Sequence, residues 1–253
     1  MRLWKSIAQI FKRDSESSEA ERIDRTEKII GYHFRNHDFL LLALTHRSFA
    51  RFANHDLPSN ERLEFLGDSV LGLIISHQLY LDNPKEGEGN LTKTKALLVN
   101  ETTLASVGKD HGLNHQIRLS PDEDRAGGRD RASIISDSFE AIIGAVYLDG
   151  GIEPARDVVL RLIYTNRDRF LSDSSQRNYK GDLLEMMQAK GDGVPRYDVV
   201  SEDGPDHDKT FHVVVTISGN KVAEGVGSSK KEAEQRAASK ALEVLESTQP
   251  SGK

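Results

Sequence analysis

Asn60-Glu61-Arg62-Leu63-Glu64-Phe65-Leu66-Gly67-Asp68-Ser69-Val70-Leu71-Gly72 is the stretch around which the chain is organised. Read as a helix, it sets Glu61, Glu64 and Asp68 at i, i+3 and i+7, on one stripe. Leu63, Phe65, Leu66, Val70 and Leu71, then Leu73, Ile74 and Ile75, make most of the circumference apolar. Such a helix is usually buried. Acids on it are costly unless a cation meets them, so a merely solvated acidic face is the weaker reading.

A second stretch answers the first. In Ser133-Ile134-Ile135-Ser136-Asp137-Ser138-Phe139-Glu140-Ala141-Ile142-Ile143-Gly144-Ala145-Val146-Tyr147-Leu148, Asp137 and Glu140 are again i and i+3 among apolar neighbours. Gly67, Gly72 and Gly144 carry no side chain, so two such helices can approach closely. Packed face to face they gather Glu64, Asp68, Asp137 and Glu140 into one cluster, with no Lys or Arg on the same stripe. Oxygen donors of this kind suit hard divalent cations such as Mg²⁺. That chemistry activates water and stabilises charge on a phosphate.

Asn60–Leu71 resembles the signature of the ribonuclease III family, and Asp137-Ser138-Phe139-Glu140-Ala141 resembles its second acidic motif. Ala43-Leu44-Thr45-His46-Arg47-Ser48 and Gly89-Asn90-Leu91-Thr92, running to Leu98-Val99-Asn100, agree in order and spacing. The resemblance implies a mainly helical N-terminal endonuclease domain that cuts double-stranded RNA by metal-activated water. It implies 5′-phosphate and 3′-hydroxyl ends with a short 3′ overhang. Asp68 and Glu140 are expected as the critical catalytic acids, and Glu64, Asp68, Asp137 and Glu140 as ligands of Mg²⁺, with Mn²⁺ substituting. Glu61 falls at the edge of the site, and Glu88 where the family has a nearby acid. Lys95 stands where an arginine usually approaches substrate phosphate; lysine keeps the charge and loses the bidentate fork. The family works as a homodimer, in which Phe65 is the residue that inserts into the partner. From the residues alone, Phe65 is equally well ordinary core.

The whole chain is compatible with this. Its 253 residues allow one large or two modest domains. A hydrophobic content of 37% can build a core, and 29% charged residues indicate a soluble protein. With no cysteine, disulfides, thiolate catalysis and cysteine zinc sites are excluded. A reducing compartment is natural, and a cytoplasmic location is expected. The formal charge of −6 argues weakly against a nucleic-acid partner, because local patches outweigh the sum. No apolar run is long enough for a membrane span, and no stable membrane association is expected.

Residues 1–21 are expected to form an N-terminal extension. Met1–Asp14 is a short basic amphipathic pattern without the features of a signal peptide. It reads as a loose tail, a helix on its own domain, or a surface for a membrane or partner. Ser15–Arg25 reads as a linker. Residues 22–171 form the expected nuclease domain, helical from Thr26. His46 reads as bonding a turn rather than as a base. Leu91–Val107 reads as one helix, and Asp122–Arg131 as a polar turn. Asp149-Gly150-Gly151 ends the second acidic helix, and Pro154 opens another to about Phe170. His111 and His115 are i, i+4, but Gly112 intervenes and no acidic partner follows, so they do not read as a zinc site.

Residues 172–178 are small and polar, the expected linker. Beyond them, 179–248 reads α-β-β-β-α: helix Tyr179–Lys190, strand Tyr197–Val200, and a period-2 strand through Phe211, Val213, Val215 and Ile217. The turn Ser218-Gly219-Asn220 leads into strand Lys221–Gly225. A capping box, Ser229 to Glu232, opens a last helix with Ala233, Ala237, Ala238, Ala241, Leu242 and Leu245 on one face.

This second region resembles the α+β double-stranded-RNA-binding domain, through Gly204-Pro205 with His207, Gly225-Val226-Gly227, and Ser229-Lys230-Lys231-Glu232-Ala233-Glu234-Gln235-Arg236-Ala237-Ala238. A capped helix start offers free N–H groups, with Lys230 and Lys231 aimed at phosphates. His207, Glu185 and Gln188 are expected at successive minor grooves. Gly181 and Leu184 stand where the family often has Thr and Gln. Residues 178–247 hold nine Lys and Arg against thirteen Asp and Glu, so weak, strongly salt-dependent RNA binding by this domain alone is expected. One nuclease domain followed by one binding domain is similar to the bacterial arrangement. The family's roles would be maturation of ribosomal RNA precursors and processing of structured messenger and transfer RNA transcripts. A binding-only protein is expected to lose its acids, and a carboxylate-pair glycosidase explains neither the second domain nor four acids on two helices.

Overall fold

A computed structural model describes residues 16–53, 57–172, 178–205 and 209–247. The chain divides into two compact units, Met1–Ser174 and Ser175–Lys253.

The first unit is built of helices: α1 (Glu16–Ile30), α2 (His37–Ala43), α3 (Arg47–Ala53), α4 (Glu61–Asp82), α5 (Glu88–Leu98), α6 (Glu101–Asp110), α7 (Pro121–Arg125), α8 (Ala132–Gly150), α9 (Ile152–Leu162) and α10 (Arg167–Leu171). At its centre lies α8, where Ile135, Phe139, Ile142, Ile143 and Val146 are fully buried. Leu71 and Ile75 of α4, Leu104 of α6 and Val159 of α9 close the same core. Each such side chain contributes about 1.5–3 kcal/mol on burial, which is why the two acidic helices are held so firmly. Asp149 ends α8 and also fastens it: its carboxylate accepts bonds from the Tyr32 hydroxyl (2.7 Å) and from the backbone N–H groups of Arg35 (2.8 Å) and Asn36 (3.0 Å).

Several expectations are corrected. Ser15–Arg25 is no linker from residue 16 onward. α1 runs through it, with Glu21–Arg25 and Asp24–Lys28 as i, i+4 ion pairs that support an otherwise polar helix. The pattern in Met1–Asp14 lies outside the described residues. Leu91–Val107 is two helices, because Asn100 leaves helical geometry and its side chain caps α6 by accepting from Thr103 N–H at 2.8 Å. Asp122–Arg131 contains α7, capped by Ser120 with Pro121 in its first turn, and a 3₁₀ turn, Gly128–Asp130. The helix expected from Pro154 to Phe170 starts at Ile152 and breaks at Leu162. A 3₁₀ turn (Tyr164–Asn166) then leads into α10.

The second unit comprises α11 (Tyr179–Lys190), β1 (Arg196–Asp203), β2 (Thr210–Ile217), β3 (Asn220–Gly227) and α12 (Lys230–Ser247). The strands form one antiparallel sheet in the order β1-β2-β3. Both outer strands are longer than the expected Tyr197–Val200 and Lys221–Gly225, because backbone pairing continues past the apolar residues that mark them. The β2–β3 hairpin turns through Ser218 (φ 51°) and Gly219 (φ 84°), the left-handed geometry such turns require. Val213, Val215 and Ile217 face Leu183 and Met187 of α11 and the alanine face of α12. A Cβ on Gly225 would fall 2.1 Å from the Ala233 carbonyl oxygen, so α12 can lie this close only over glycine.

Candidate active site

α4 and α8 meet where side chains are missing. A Cβ on Gly67 would stand 1.8 Å from the carbonyl oxygen of Glu140, and one on Gly144 2.4 Å from that of Leu63. Gly72 is not part of this contact; it faces the Lys95 side chain. At the head of α4 the buried Asn60 donates to the Ser138 hydroxyl at 3.4 Å, a second tie between the acidic segments.

This contact brings the four expected carboxylates within mutual influence. Burial pushes the Glu140 carboxyl up to about 8, and Asp68, Glu64 and Asp137 add to the rise in that order. Burial likewise raises Glu64, with Asp137, Glu61 and Asp68 repelling it. Asp137 is raised chiefly by burial, with Glu101 and Glu61 adding repulsion. Among the described residues, no three Asp, Glu or His side chains converge into a finished ligand set. The two observations are compatible: the backbones bring the acids within repulsive reach, and like charges in a half-buried setting oppose a closer approach unless a cation joins them.

Glu64 and Asp137 open into a cavity of about 430 Å³ whose other walls include His46, Arg47, Asn60, Glu61, Glu123, Arg131 and Ser133. Here the sequence reading missed a cation. No Lys or Arg shares the acidic stripe, but Arg47 arrives from α3, 3.9 Å from Glu61, and lowers the pKa of both Glu64 and Asp137. It lies inside the Ala43–Ser48 motif, which was the available signal. Glu123 and Arg131, paired at 2.7 Å, carried no periodic signal. His46 bonds the turn as expected: its Nδ1 lies 2.8 Å from the Ser48 hydroxyl and accepts from Ser48 N–H at 3.2 Å. Lys95 and the exposed Glu88 lie on α5 and do not line the cavity. Phe65 is 79% exposed, so within the single chain it is not core.

Carboxyl oxygens that repel one another when ionised fit a hard divalent cation, which would take the place of the Glu140 proton and relieve both burial and repulsion. Glu64, Asp68, Asp137 and Glu140 are the residues that would hold it.

In the second unit, Ser229 Oγ accepts from Glu232 N–H at 3.2 Å, as a cap should. The return arm differs from the expected box: the Glu232 carboxylate accepts from the backbone N–H and hydroxyl of Ser228, not from Ser229. Lys231 is exposed, whereas Lys230 is engaged by Glu202 at 2.8 Å. Glu185 and Gln188 are exposed on α11. His207 lies outside the described residues.

The comparisons with known proteins match this arrangement. Residues 36–166 match the family described as Ribonuclease-III-like, and residues 179–245 match the double-stranded RNA binding motif. A Ribonuclease 3 of Thermobifida fusca is 47% identical over 208 residues, 82% of this chain and 86% of that protein. This chain belongs to the ribonuclease III family. A Ribonuclease 3 of Geobacter metallireducens is 40% identical over 90% of this chain and 94% of its own length. The solved nuclease domain of ribonuclease III from Campylobacter jejuni is 42% identical and covers 57% of this chain and 97% of its own, with a TM-score of 0.53. As a ribonuclease III family member, the chain is an endoribonuclease specific for double-stranded RNA, with RNA duplex as its partner. A divalent-metal requirement goes with the family. Among the described residues, no helix is long and apolar enough to cross a membrane.

Proposed function

We propose that the chain hydrolyses phosphodiesters of duplex RNA at a site where Glu64, Asp68, Asp137 and Glu140 hold Mg²⁺, with Mn²⁺ able to replace it. The observation that carries this is the glycine contact of α4 with α8, where a Cβ on Gly67 would fall 1.8 Å from the Glu140 carbonyl oxygen, so that the acids of the two helices repel one another and raise Glu140. When bound, the cation supplies water activation and charge stabilisation at the phosphate. The chain's own contribution is placement. Gly67 and Gly144 set the spacing of the acidic helices, the Asn60–Ser138 bond fixes their ends, and Arg47 brings a positive charge beside them. Water oxygen bonds to phosphorus, and the ribose 3′-oxygen leaves with a proton. The products carry 5′-phosphate and 3′-hydroxyl ends, with a short 3′ overhang when both strands are cut.

Residues 22–171 act as the nuclease domain, 172–178 as the linker and 179–248 as the RNA-binding domain, where Ser229, Lys230, Lys231, Glu185, Gln188 and His207 meet the duplex. Lys95 contributes positive charge to the RNA path. Cutting both strands calls for a homodimer, with Phe65 at its interface. The Campylobacter jejuni nuclease domain is itself described as having a region involved in dimer formation, and an aromatic ring 79% exposed suits such a contact. We place the enzyme in the cytoplasm, processing ribosomal RNA precursors and structured messenger and transfer RNA transcripts. The test is cleavage of an end-labelled perfect RNA duplex with and without Mg²⁺, beside Asp137→Ala and Glu140→Ala. Inactive wild type, or undiminished cutting by both variants, would sink the reading.

A further inference from the structure

Several charges of the second unit are paired. Lys221 bonds Glu224 within β3, Arg236 bonds Glu232 within α12, and Lys180 ties α11 to α12 through Glu234 at 2.6 Å while lying 4.5 Å from the Tyr197 ring centre. These pairs hold elements together or support a single element. The Glu202–Lys230 pair also joins two elements, but it does so at the capped start of α12. It bridges the last turn of sheet before residues 204–209 to the first residue of α12, with Glu202 Oε1 2.8 Å from Lys230 Nζ. Phe211, the register partner of Glu202 on β2, lies beneath it with its ring centre 5.6 Å from the same ammonium. Lys230 is thus held in place by a carboxylate and a ring, next in the chain to the exposed Lys231.

We infer that Glu202 competes with RNA phosphate for Lys230, and so sets how tightly, and up to what ionic strength, this enzyme grips its duplex. The inference rests on the proposed role of Lys230 as a phosphate contact. A carboxylate oxygen and a phosphate oxygen satisfy an ammonium in the same way. When Lys230 turns to a phosphate, Glu202 loses its partner and is left beside a polyanion. Each lysine that meets a phosphate normally releases about one counterion from RNA. Here that release is offset, because the freed Glu202 takes a cation back from solution. The pair is accessible enough to exchange, with Lys230 59% and Glu202 39% exposed on their side chains. Lys230 holds the Glu202 carboxyl below the usual carboxylate range, so Glu202 is fully charged at neutral pH and always available as the competitor.

An exposed ion pair of this kind shifts affinity by about fivefold at most. The experiment measures binding of the full-length protein to a labelled RNA duplex of about 20 base pairs, longer than the roughly 16 one such domain spans, without divalent cation so that nothing is cut. Wild type, Glu202→Gln, Lys230→Met and the double variant are compared across a salt series. Glu202→Gln is expected to bind about three- to fivefold tighter at low salt. Its affinity should also fall more steeply with salt, by about one unit of log–log slope. The gain should largely vanish in the Lys230→Met background. Unchanged affinity in Glu202→Gln overturns the inference. So does an equal gain with Lys230→Met, which would mark general repulsion instead of competition. If Lys230→Met alone binds as wild type does, the phosphate role of Lys230 fails, and the inference fails with it. Matching far-UV spectra and melting curves show that each variant is folded.

Discussion

Gly67 and Gly144 hold the acidic helices in backbone contact: a Cβ on Gly67 would sit 1.8 Å from the carbonyl oxygen of Glu140, the residue whose side chain is the most strongly perturbed of the four acids. The obstacle is main chain, which cannot swing aside as a side chain can. Gly67→Ala is therefore expected to push α4 and α8 apart, at a cost of about 3 kcal/mol, the upper end of the overpacking range. Cleavage should fall further than stability, because the separation changes the spacing of Glu64 and Asp68 from Asp137 and Glu140. Thermal melting and single-turnover cleavage on one preparation check this. Gly72→Ala is the control, since its added methyl meets only the Lys95 side chain at 3.4 Å.

The Glu140 carboxyl stands at about 8 when folded against 4.5 for the free group. A raised folded value means that the folded state holds the proton between those two pH values while the unfolded chain has released it. The stabilising contribution is present below about pH 4.5 and lost as pH rises toward 8. In EDTA, the melting temperature of wild type should drop over that window. Glu140→Gln should flatten the drop and melt higher than wild type at pH 8. The same variant should lose cleavage by about two orders of magnitude or more, since metal charge stabilisation amounts to several kcal/mol. A wild type and Glu140→Gln with parallel pH profiles would contradict the burial and repulsion assigned here.

Metal uptake should follow the same proton. A cation held by Glu140 must displace it, so the Mg²⁺ concentration for half-maximal cleavage is expected to rise as pH falls below about 8. The expected shift approaches tenfold per pH unit if one proton is exchanged. Cleavage measured across a Mg²⁺ series at pH 6, 7 and 8 gives the slope directly. A half-maximal concentration that does not move with pH would separate Glu140 from the metal.

Arg129 is a brace that the sequence concealed. Its guanidinium donates to the carbonyl oxygens of Asn114 (3.1 Å), His115 (3.3 Å) and Ile117 (2.9 Å), and pairs with Asp124. It thereby ties down the segment that carries Glu123 and Arg131 into the cavity wall. Arg129→Ala strips several carbonyls of a charged donor and should cost about 1–3 kcal/mol, a drop in melting temperature of a few degrees for a unit this size. Equal melting of the two proteins would count against the brace.

The acids were legible because helical spacing alone fixes which residues share a stripe, and because glycine in an otherwise apolar helix marks a close approach. That logic located Gly67 and Gly144 and misled at Gly72, since it cannot say which neighbour the bare face meets. Caps that bond locally were legible where glycines and a polar turn precede them, as at Ser229, and missed at Asn100, where a helical pattern continues across the break. The roles of Arg47, despite its place in the Ala43–Ser48 motif, and of Arg129 were missed for one reason. Their partners lie far along the chain, and only the folded backbone brings Arg47 to Glu61 and Arg129 to the carbonyls of 114–117.

Phe65, Leu73 and Tyr80 fall within about 80° of one another around α4, taking 100° per residue, and are 79%, 61% and 71% exposed. Three large apolar side chains on one face of a helix whose opposite side is packed in the core make a stripe that a second copy of the chain could cover. Phe65→Glu puts a charge at the most exposed point of that stripe, one turn from Asp68, where burial against a partner would be prohibitive. Sedimentation at micromolar concentration should show wild type at twice the chain mass and Phe65→Glu at about the mass of one chain, 28.2 kDa. Its melting temperature should lie close to that of any wild-type monomer, because Phe65 adds nothing to the core of its own unit. Cutting of both strands in one encounter should be lost, while nicking of a single strand survives to the extent that one chain still holds a complete set of acids. A Phe65→Glu protein that sediments with wild type would move the interface elsewhere on the surface.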